Sequence, residues 1–368
     1  MDKVRVGVVG VGIRGSGTAK DFLDGVTERA ELAAICDIDE AVRNEWSMVP
    51  TFASSEEMIR SGLVDAVYIA TPHYDHTTIG IDAMRNGKHV LVEKPISVHK
   101  ADAERLIAAH YDNPKTVFAA MFNQRTDPSY TKVREIVASG ELGEIRRTNW
   151  IITDWFRSNA YYASGGWRAT WEGEGGGVLM NQCPHNLDLF QWICGAPSRI
   201  EAHCAFGKYH PIEVEDDVTA YLEYPNGATG VFVTTTGEAP GTNRLEIAGD
   251  KGKLVVERGN VITLVKNKVP MDVFRQETEQ KFGKPEAETI EIPIEGRGGQ
   301  HREICQNFVD AILDGSPLIA PAEDGIHSVE MANAMLLSSL LGEPVDLPID
   351  GEVFEDKLQE LIAQSRKG

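Results

Sequence analysis

The feature that most constrains this chain is a β-branched run that leads directly into a glycine-rich turn. Residues 4–9 favour a strand, and the next six residues spell G-x-G-x-x-G before a helical stretch begins. Glycine serves three needs here: the tight turn, close approach of a pyrophosphate, and packing of the helix on the strand. With 35 glycines in the chain, chance matches are easy, so the position between a strand and a helix is what gives the pattern weight. The alternative is an ordinary strand-turn-helix. The predicted dinucleotide contacts are Gly10, Gly12, Ile13, Arg14 and Gly15.

The same alternation of strands and helices continues through residue 123. Apolar runs at residues 32–36, 65–70, 89–92 and 116–120 predict further strands, and residues 77–86 and 100–109 predict helices. This pattern predicts two βαβ halves that share a doubly wound parallel sheet. Residues 1–123 are therefore predicted to form a Rossmann-type domain.

Asp37 ends the second predicted strand, 22 residues after Gly15. A carboxylate at this spacing binds the hydroxyls of an adenosine ribose and repels a 2'-phosphate, which favours NAD over NADP. Arg14 and Arg43 lie nearby and weaken that preference. The alternative role for Asp37 is a helix cap before residues 40–46.

Polar residues follow several of the later strands, where open α/β sheets bind their ligands. The segment V-L-V-E-K-P places Lys94 at a strand end, where it is a candidate to bind ligand. The alternative role for Lys94 is a simple salt bridge with Glu93. Two loop histidines are expected either to contact nicotinamide or substrate, or to be solvated or capping residues. The predicted ligand-contacting residues of this edge are Thr71, Pro72, His73, His76, Glu93, Lys94 and Asn123.

The pattern changes after residue 123. Segments in which hydrophobic and polar residues alternate predict a large, mostly antiparallel sheet with one exposed face. We expect that face to form a homodimer or homotetramer. A polar stretch at 266–299 is predicted to be irregular, and helices at 301–313 and 323–341 are predicted to close the chain. Residues 124–368 thus form the predicted substrate and oligomerisation domain. Its C-terminal helices are free to pack on the first domain.

Aromatic and basic side chains are concentrated between the first two strands of this sheet. Flat apolar rings suit the C–H face of a pyranose or cyclitol, while arginine and asparagine suit its hydroxyls. The alternative is an aromatic cluster that packs under a long loop. The predicted substrate contacts, besides Lys94 and Asn123, are Trp155, Arg157, Tyr161, Trp167, Arg168, Trp171, Asn181 and His185.

Asn181 and His185 are four residues apart, so a helix that starts near Asn181 would place them on one face. Pro184 fits the first turn of such a helix. His185 is then a candidate proton acceptor near neutral pH. Asn181 is either a ligand contact or an N-cap, and Asp188 is either a partner of His185 or a solvated charge.

Composition excludes several other classes. A formal charge of −20 disfavours non-specific binding to nucleic acids or anionic membranes. Five scattered cysteines without a C-x-x-C pair favour reduced core thiols, and the histidines lack the spacing of a metal site. No run reaches membrane-spanning length, and no secretory leader is evident at the start. We expect a cytoplasmic protein with no metal.

These motifs together resemble the Gfo/Idh/MocA family, named after glucose–fructose oxidoreductase, inositol dehydrogenase and rhizopine-catabolism proteins. The G-x-G-x-x-G turn, Ala-Thr-Pro at 70–72, Glu-Lys-Pro at 93–95 and a triple glycine followed by His185 occur in the family's order. The resemblance implies that Lys94 and His185 flank a sugar-like hydroxyl over nicotinamide. Many members carry aspartate four residues before this histidine, and here that position is Asn181. Any proton relay must then use His185 and Lys94 alone, or water, or Asp188.

The sequence therefore predicts an NAD-dependent dehydrogenase that oxidises a secondary hydroxyl of a sugar, glycoside or cyclitol. One alternative is an NAD-dependent glycosidase that oxidises its substrate transiently and eliminates the aglycone. A second alternative is a non-catalytic sugar or nucleotide sensor with the same fold.

Overall fold

The first of two sheets is built by the N-terminal part of the chain. The computed structural model describes residues 2–366. Six strands in the order β3-β2-β1-β4-β5-β6, all parallel, form the doubly wound arrangement that the sequence predicted. The strands are β1 Val4–Val9, β2 Ala30–Cys36, β3 Thr51–Phe52, β4 Ala66–Ile69, β5 His89–Val92 and β6 Phe118–Ala120.

Five helices cover the faces of this sheet. They are α1 Ile13–Leu23, α2 Glu40–Asn44, α3 Ser55–Arg60, α4 His73–Arg85 and α5 Lys100–Asp112. Helix α4 begins at His73, four residues before the predicted start, because Pro72 occupies the N-cap position and the chain turns directly into the helix. The two predicted loop histidines therefore lie in the first turn of a helix.

The second sheet has nine strands in the order β14-β13-β12-β11-β7-β10-β9-β8-β15. Among the described strands of this second sheet, only the central pair β7 and β10 is parallel, which confirms a mostly antiparallel sheet. The strands are β7 Ile145–Ile152, β8 Arg199–Phe206, β9 Glu215–Glu223, β10 Thr229–Thr235, β11 Asn243–Gly249, β12 Gly252–Glu257, β13 Val261–Asn267, β14 Ala287–Ile292 and β15 Val345–Asp346.

One face of this sheet is buried and the other is exposed. Trp150 and Phe232 belong to the buried face, whereas Ile151 and Tyr221 project from the outer one. The helices of this half are α6 Pro128–Ala138, α7 Asn159–Tyr162, α8 Val178–Asn181, α9 Pro184–Cys194, α10 Met271–Glu277, α11 Gln300–Asp314, α12 Gly325–Leu341 and α13 Gly351–Ser365. Assembly through the outer face stays a prediction.

Two predictions for this half were wrong. The stretch 266–299 contains α10 and β14, and a further helix, α13, follows the two that were expected to close the chain. Strand β14 is exposed along nearly its whole length, so its sequence lacks the alternation that marks a half-buried strand.

The two halves share their packing. Ile304, Phe308 and Val309 of α11 belong to the core of the parallel sheet, and α12 contributes Val329 to that core and Met335 to the second one. The carboxyl edge of the parallel sheet faces the loop between β7 and β8, because Tyr74 and Lys94 donate hydrogen bonds to the main-chain oxygens of Trp171 and Asn181. Within residues 2–366, no helix is both long enough and apolar enough to cross a bilayer.

Candidate active site

The glycine turn is shaped by two contacts and leaves one opening. Gly10 has φ +82°, and a Cβ there would lie 2.8 Å from the Ala70 oxygen. A Cβ on Gly15 would lie 1.8 Å from the Gly10 oxygen, which helix packing forbids. A Cβ on Gly12 would meet no atom within 4 Å. The outer two glycines are thus required by the protein itself, while Gly12 borders open space at the start of α1, where a pyrophosphate fits.

Asp37 is fixed against this turn. Its Oδ2 accepts a hydrogen bond from the Val11 N–H at 2.9 Å, and its Oδ1 accepts one from the Asp39 N–H at 3.0 Å. The N-cap of α2 is Asp39, not Asp37, so the capping alternative was wrong. Ile13 and Ile38 lie beside these groups and are 96% and 91% exposed. A carboxylate flanked by bare aliphatic side chains fits an adenosine.

The Glu93 side chain binds residues on the cofactor side of the site and does not bind the ammonium group of Lys94. Its Oε1 accepts hydrogen bonds from Arg14 Nε at 3.1 Å and from the Tyr68 hydroxyl at 2.5 Å. Lys94 Nζ instead donates to the main-chain oxygen of Asn181 at 2.6 Å. The alternative of a Glu93–Lys94 side-chain salt bridge was therefore wrong, and the ammonium group lies at the seam of the two domains.

His185 and Lys94 lie in one electrostatic environment. Burial lowers the pKa of His185 well below its usual value, and the positive charges of Lys94 and Arg14 add to this effect. Burial also lowers the pKa of Lys94, while the carboxylates of Glu93 and Glu174 oppose that change. His185 is consequently neutral near pH 7 and carries a ring nitrogen that can accept a proton.

The segment around His185 folds differently from the prediction. Asn181 ends the short helix α8 and His185 is the second residue of α9, so no single helix contains both. Pro184 occupies the first turn of α9, as predicted. Asn181 is not an N-cap, because its side-chain nitrogen donates to Glu174 Oε1.

Asp188 does not act on His185 and is not solvated. Both of its oxygens accept hydrogen bonds from Arg125, at 2.8 and 2.6 Å, and both side chains are 1% exposed. Arg125 also binds Asp324 at 2.8 Å. This pair ties α9 to the turn that follows β6, so a relay through Asp188 is ruled out by geometry.

The two histidines of α4 are buried. His73 Nδ1 donates a hydrogen bond to the main-chain oxygen of Glu174 at 3.2 Å. The His73 ring packs edge-on against Trp167, with 6.4 Å between the ring centres. Burial lowers the pKa of His73 to about 3. His76 lies between the main-chain oxygens of Pro95 and Thr71, at 2.8 and 3.0 Å. The alternative of solvated loop histidines was wrong, because both rings are buried and brace the turns that carry the site.

The aromatic loop divides into two groups. Trp167 is 36% exposed and lies under the Arg168 guanidinium, whose Nη1 donates to the Tyr161 hydroxyl at 3.0 Å. Trp171 is 4% exposed, belongs to the second core and packs on the ring of Phe206, which favours a structural role for it.

Trp155 borders a polar cavity of about 550 Å³ on the α9 side of the same loop. Its indole nitrogen donates to Asn186 Oδ1 at 3.2 Å, and the Arg157 guanidinium covers its ring. Asn123 bonds to Gln300, a further lining residue, at 2.6 Å. The cavity offers amide, carboxylate and guanidinium groups to a hydroxylated ligand.

Three predicted site residues carry buried polar atoms that have no hydrogen-bond partner within residues 2–366. They are Thr71 Oγ1, Asn123 Oδ1 and His185 Nδ1. Buried polar groups in native proteins are normally paired. These atoms lie along the domain seam, where a bound cofactor and substrate would supply their missing hydrogen-bond partners.

Glu174 is the site residue that the sequence did not single out. It is 2% exposed, although acidic residues are usually solvated. Its only sequence signal is its place directly before the three glycines. Within residues 2–366, no group of three or more His, Cys, Asp or Glu side chains is arranged to hold a metal ion.

A parallel dinucleotide-binding domain joined to a sheet domain, with a lysine and a histidine at the seam, defines an NAD(P)-dependent dehydrogenase. The family model "Oxidoreductase family, NAD-binding Rossmann fold" matches residues 4–121, and "GFO/IDH/MocA C-terminal domain" matches residues 130–255. The chain belongs to the Gfo/Idh/MocA family.

Individual relatives agree with this assignment. Inositol 2-dehydrogenase 1 of Saccharopolyspora erythraea is 32% identical over 94% of this chain and 97% of its own. The trans-1,2-dihydrobenzene-1,2-diol dehydrogenase of Bos taurus is 29% identical, but the match spans only 55% of this chain and 57% of that enzyme. The WlbA dehydrogenase of Bordetella pertussis, solved with NADH and UDP-GlcNAcA, has a TM-score of 0.80 at 25% identity, over 95% of this chain and 100% of its own.

Proposed function

We propose that this protein oxidises a secondary hydroxyl of a sugar, glycoside or cyclitol, with NAD as hydride acceptor. The observation that carries the proposal is the burial of His185 close enough to Lys94 for the ammonium charge to lower its pKa, with His185 Nδ1 left without a hydrogen-bond partner among residues 2–366. The similarity to an inositol dehydrogenase and to a dehydrogenase solved with a nucleotide sugar supports a polyol substrate.

NAD fits the first domain better than NADP. The Asp37 carboxylate is held at the glycine turn by the Val11 N–H, so a 2'-phosphate beside it would meet a negative charge. Arg43 does not offset this, because its Nη1 is bonded to the main-chain oxygens of Asp37 and Ile38 at 2.7 and 2.9 Å. Bound NAD supplies the electrophilic nicotinamide carbon that accepts hydride.

Lys94 and His185 have separate tasks. The Lys94 ammonium donates a hydrogen bond to the substrate oxygen and stabilises the negative charge that develops there. His185 is neutral because burial and neighbouring cations lower its pKa, so it accepts the hydroxyl proton. The main-chain oxygen of Asn181, 2.6 Å from Nζ, aims the ammonium group. Asp188 takes no part, because Arg125 occupies both of its oxygens.

Two variants test this assignment. Lys94→Met keeps most of the length of the side chain and removes its charge, and His185→Gln removes the titratable ring. Each should lower kcat at least about 100-fold, since loss of one donor to a developing oxyanion costs roughly 10²–10³-fold and general acid–base catalysis contributes roughly 10²–10⁴-fold. Binding of NADH, measured by fluorescence, should change little. Unchanged kcat in Lys94→Met would refute the proposed role of this lysine.

A panel of substrates separates the proposed activity from its alternatives. Wild-type protein with NAD is offered inositols, free sugars and aryl glycosides while NADH absorbance is recorded. A dehydrogenase accumulates NADH. Release of an aglycone without NADH would identify the glycosidase cycle, and NADH binding without any turnover would identify a sensor.

A further inference from the structure

Glu174 lies inside the site but has no role in the chemistry proposed above. Its Oε2 accepts a hydrogen bond from the Ala169 N–H at 2.6 Å, and its Oε1 accepts one from the side-chain nitrogen of Asn181. Burial raises the pKa of the Glu174 carboxyl, and these two N–H donors, together with the positive charges of Arg168 and Lys94, counteract that rise and favour the ionised form. An ionised carboxylate that is 2% exposed acts strongly on any cation nearby.

The cation nearby is Lys94. Its Nζ donates to the main-chain oxygen of Asn181, the residue whose side chain binds Glu174. Asn181 thus contacts the carboxylate at one end and the ammonium at the other. The charged and titratable groups that act on Lys94 or Glu174 come from several elements: Glu93, Arg14, Cys183, Arg168, His73, His185 and Glu215.

Burial lowers the pKa of Lys94, and two carboxylates are the main groups that counteract this effect. Glu93 is one of them, but its oxygens already bind Arg14, Tyr68 and the Lys94 N–H. Glu174 is the other, and it approaches from the substrate domain. The orientation of Asn181 follows from the same contact, because its nitrogen faces Glu174 and its side-chain oxygen is left to accept a hydrogen bond from a ligand.

We propose that Glu174 is a positioning residue, whose ionised carboxylate keeps Lys94 cationic and sets the orientation of the Asn181 amide. This inference rests on the proposed function, since it concerns the lysine that binds the substrate oxygen. A carboxylate of the substrate domain thus helps to keep Lys94, a residue of the Rossmann domain, protonated.

The charge of Lys94 can be measured without knowing the substrate. Trace labelling with acetic anhydride, followed by mass spectrometry of the Lys94 peptide, reports the deprotonated fraction of that amine, with exposed Lys115 as internal reference. In Glu174→Gln, with NAD present, the labelling rate of Lys94 at neutral pH should rise roughly tenfold, as expected when one close opposite charge is lost.

Glu213 provides a matched control. Its Oε1 accepts a hydrogen bond from the Trp171 N–H at 2.7 Å, so Glu213→Gln disturbs the same loop in a similar way. It is not among the main groups that act on Lys94. Labelling of Lys94 in Glu213→Gln should equal that of wild type. An equal rise in both variants would show a loop effect and overturn the inference.

A second-site variant tests the charge directly. Glu174→Gln combined with Asn181→Asp returns one carboxylate to the same place, so labelling of Lys94 should fall back towards the wild-type rate. If Glu174→Gln alone fails to fold, the folded double variant carries the test, and a tenfold rise there would overturn the inference. A wild-type rate of Lys94 labelling in Glu174→Gln would also overturn the inference.

The proposed function can fail independently of this inference. If Lys94→Met keeps its turnover while these labelling results hold, the proposed function fails and the charge coupling between Glu174 and Lys94 stands.

Discussion

The ion pair between Arg125 and Asp188 offers a sharp test of how the two halves of the site are joined. Both side chains are 1% exposed, and two hydrogen bonds of 2.8 and 2.6 Å connect them. Asp188→Asn keeps the shape but turns an amide N–H towards the guanidinium. Removing one partner of a buried pair typically costs 3–5 kcal/mol. Because Asp324 remains bonded to Arg125 and is 42% exposed, we expect a loss at the low end of this range, roughly 3 kcal/mol in the free energy of unfolding.

Urea unfolding followed by circular dichroism measures this change. The control is Glu135→Gln, which breaks the surface pair with Lys132 and should change the free energy of unfolding by no more than about 0.5 kcal/mol. The double variant Arg125→Met with Asp188→Leu should be more stable than Asp188→Asn, because no charge is left buried alone. A loss below about 1 kcal/mol in Asp188→Asn would refute this reasoning.

Three further predictions concern the cofactor site and pH. Gly12→Ala should fold like wild type, as should the control Gly17→Ala, since neither Cβ meets an atom within 4 Å, but only Gly12→Ala should weaken NADH binding, by at least about tenfold in calorimetry. The pKa of His73 is about 3 in the folded protein, below its unfolded value, so His73 stabilises the fold above pH ~6.5 and loses this as pH falls. Between pH ~6.5 and ~5, wild type should lose roughly 2 kcal/mol that His73→Gln keeps, as measured by unfolding; equal losses would contradict the burial argument. Wild type should bind NADH at least about tenfold more tightly than NADPH because of Asp37, and equal affinities would contradict that preference.

Features that depend on neighbouring residues could be predicted from the sequence. The glycine turn, Asp37 and the alternating strands all follow from local spacing, because hydrophobic periodicity records which face is buried. The fold class was confirmed for this reason. Strand β14 escaped detection because its residues are exposed on both sides.

Features that depend on distant residues could not be predicted. Arg125 and Asp188 are 63 positions apart, and neither has a local pattern that marks it as buried. Glu174 lies in a loop, where it binds the Ala169 N–H and the Asn181 side chain, and loop conformation has no periodic signal. The sequence did single out Asn181, where the family resemblance leads us to expect aspartate, and Glu174 is the carboxylate that the Asn181 side chain binds.

The most direct test of the account is NADH formation by wild type and Lys94→Met on one panel of inositols, free sugars and glycosides. We expect wild type to reduce NAD with at least one polyol. We expect Lys94→Met to bind NADH as wild type does but to turn over at least about 100-fold more slowly. Equal turnover of the two proteins, or aglycone release without NADH, would contradict it.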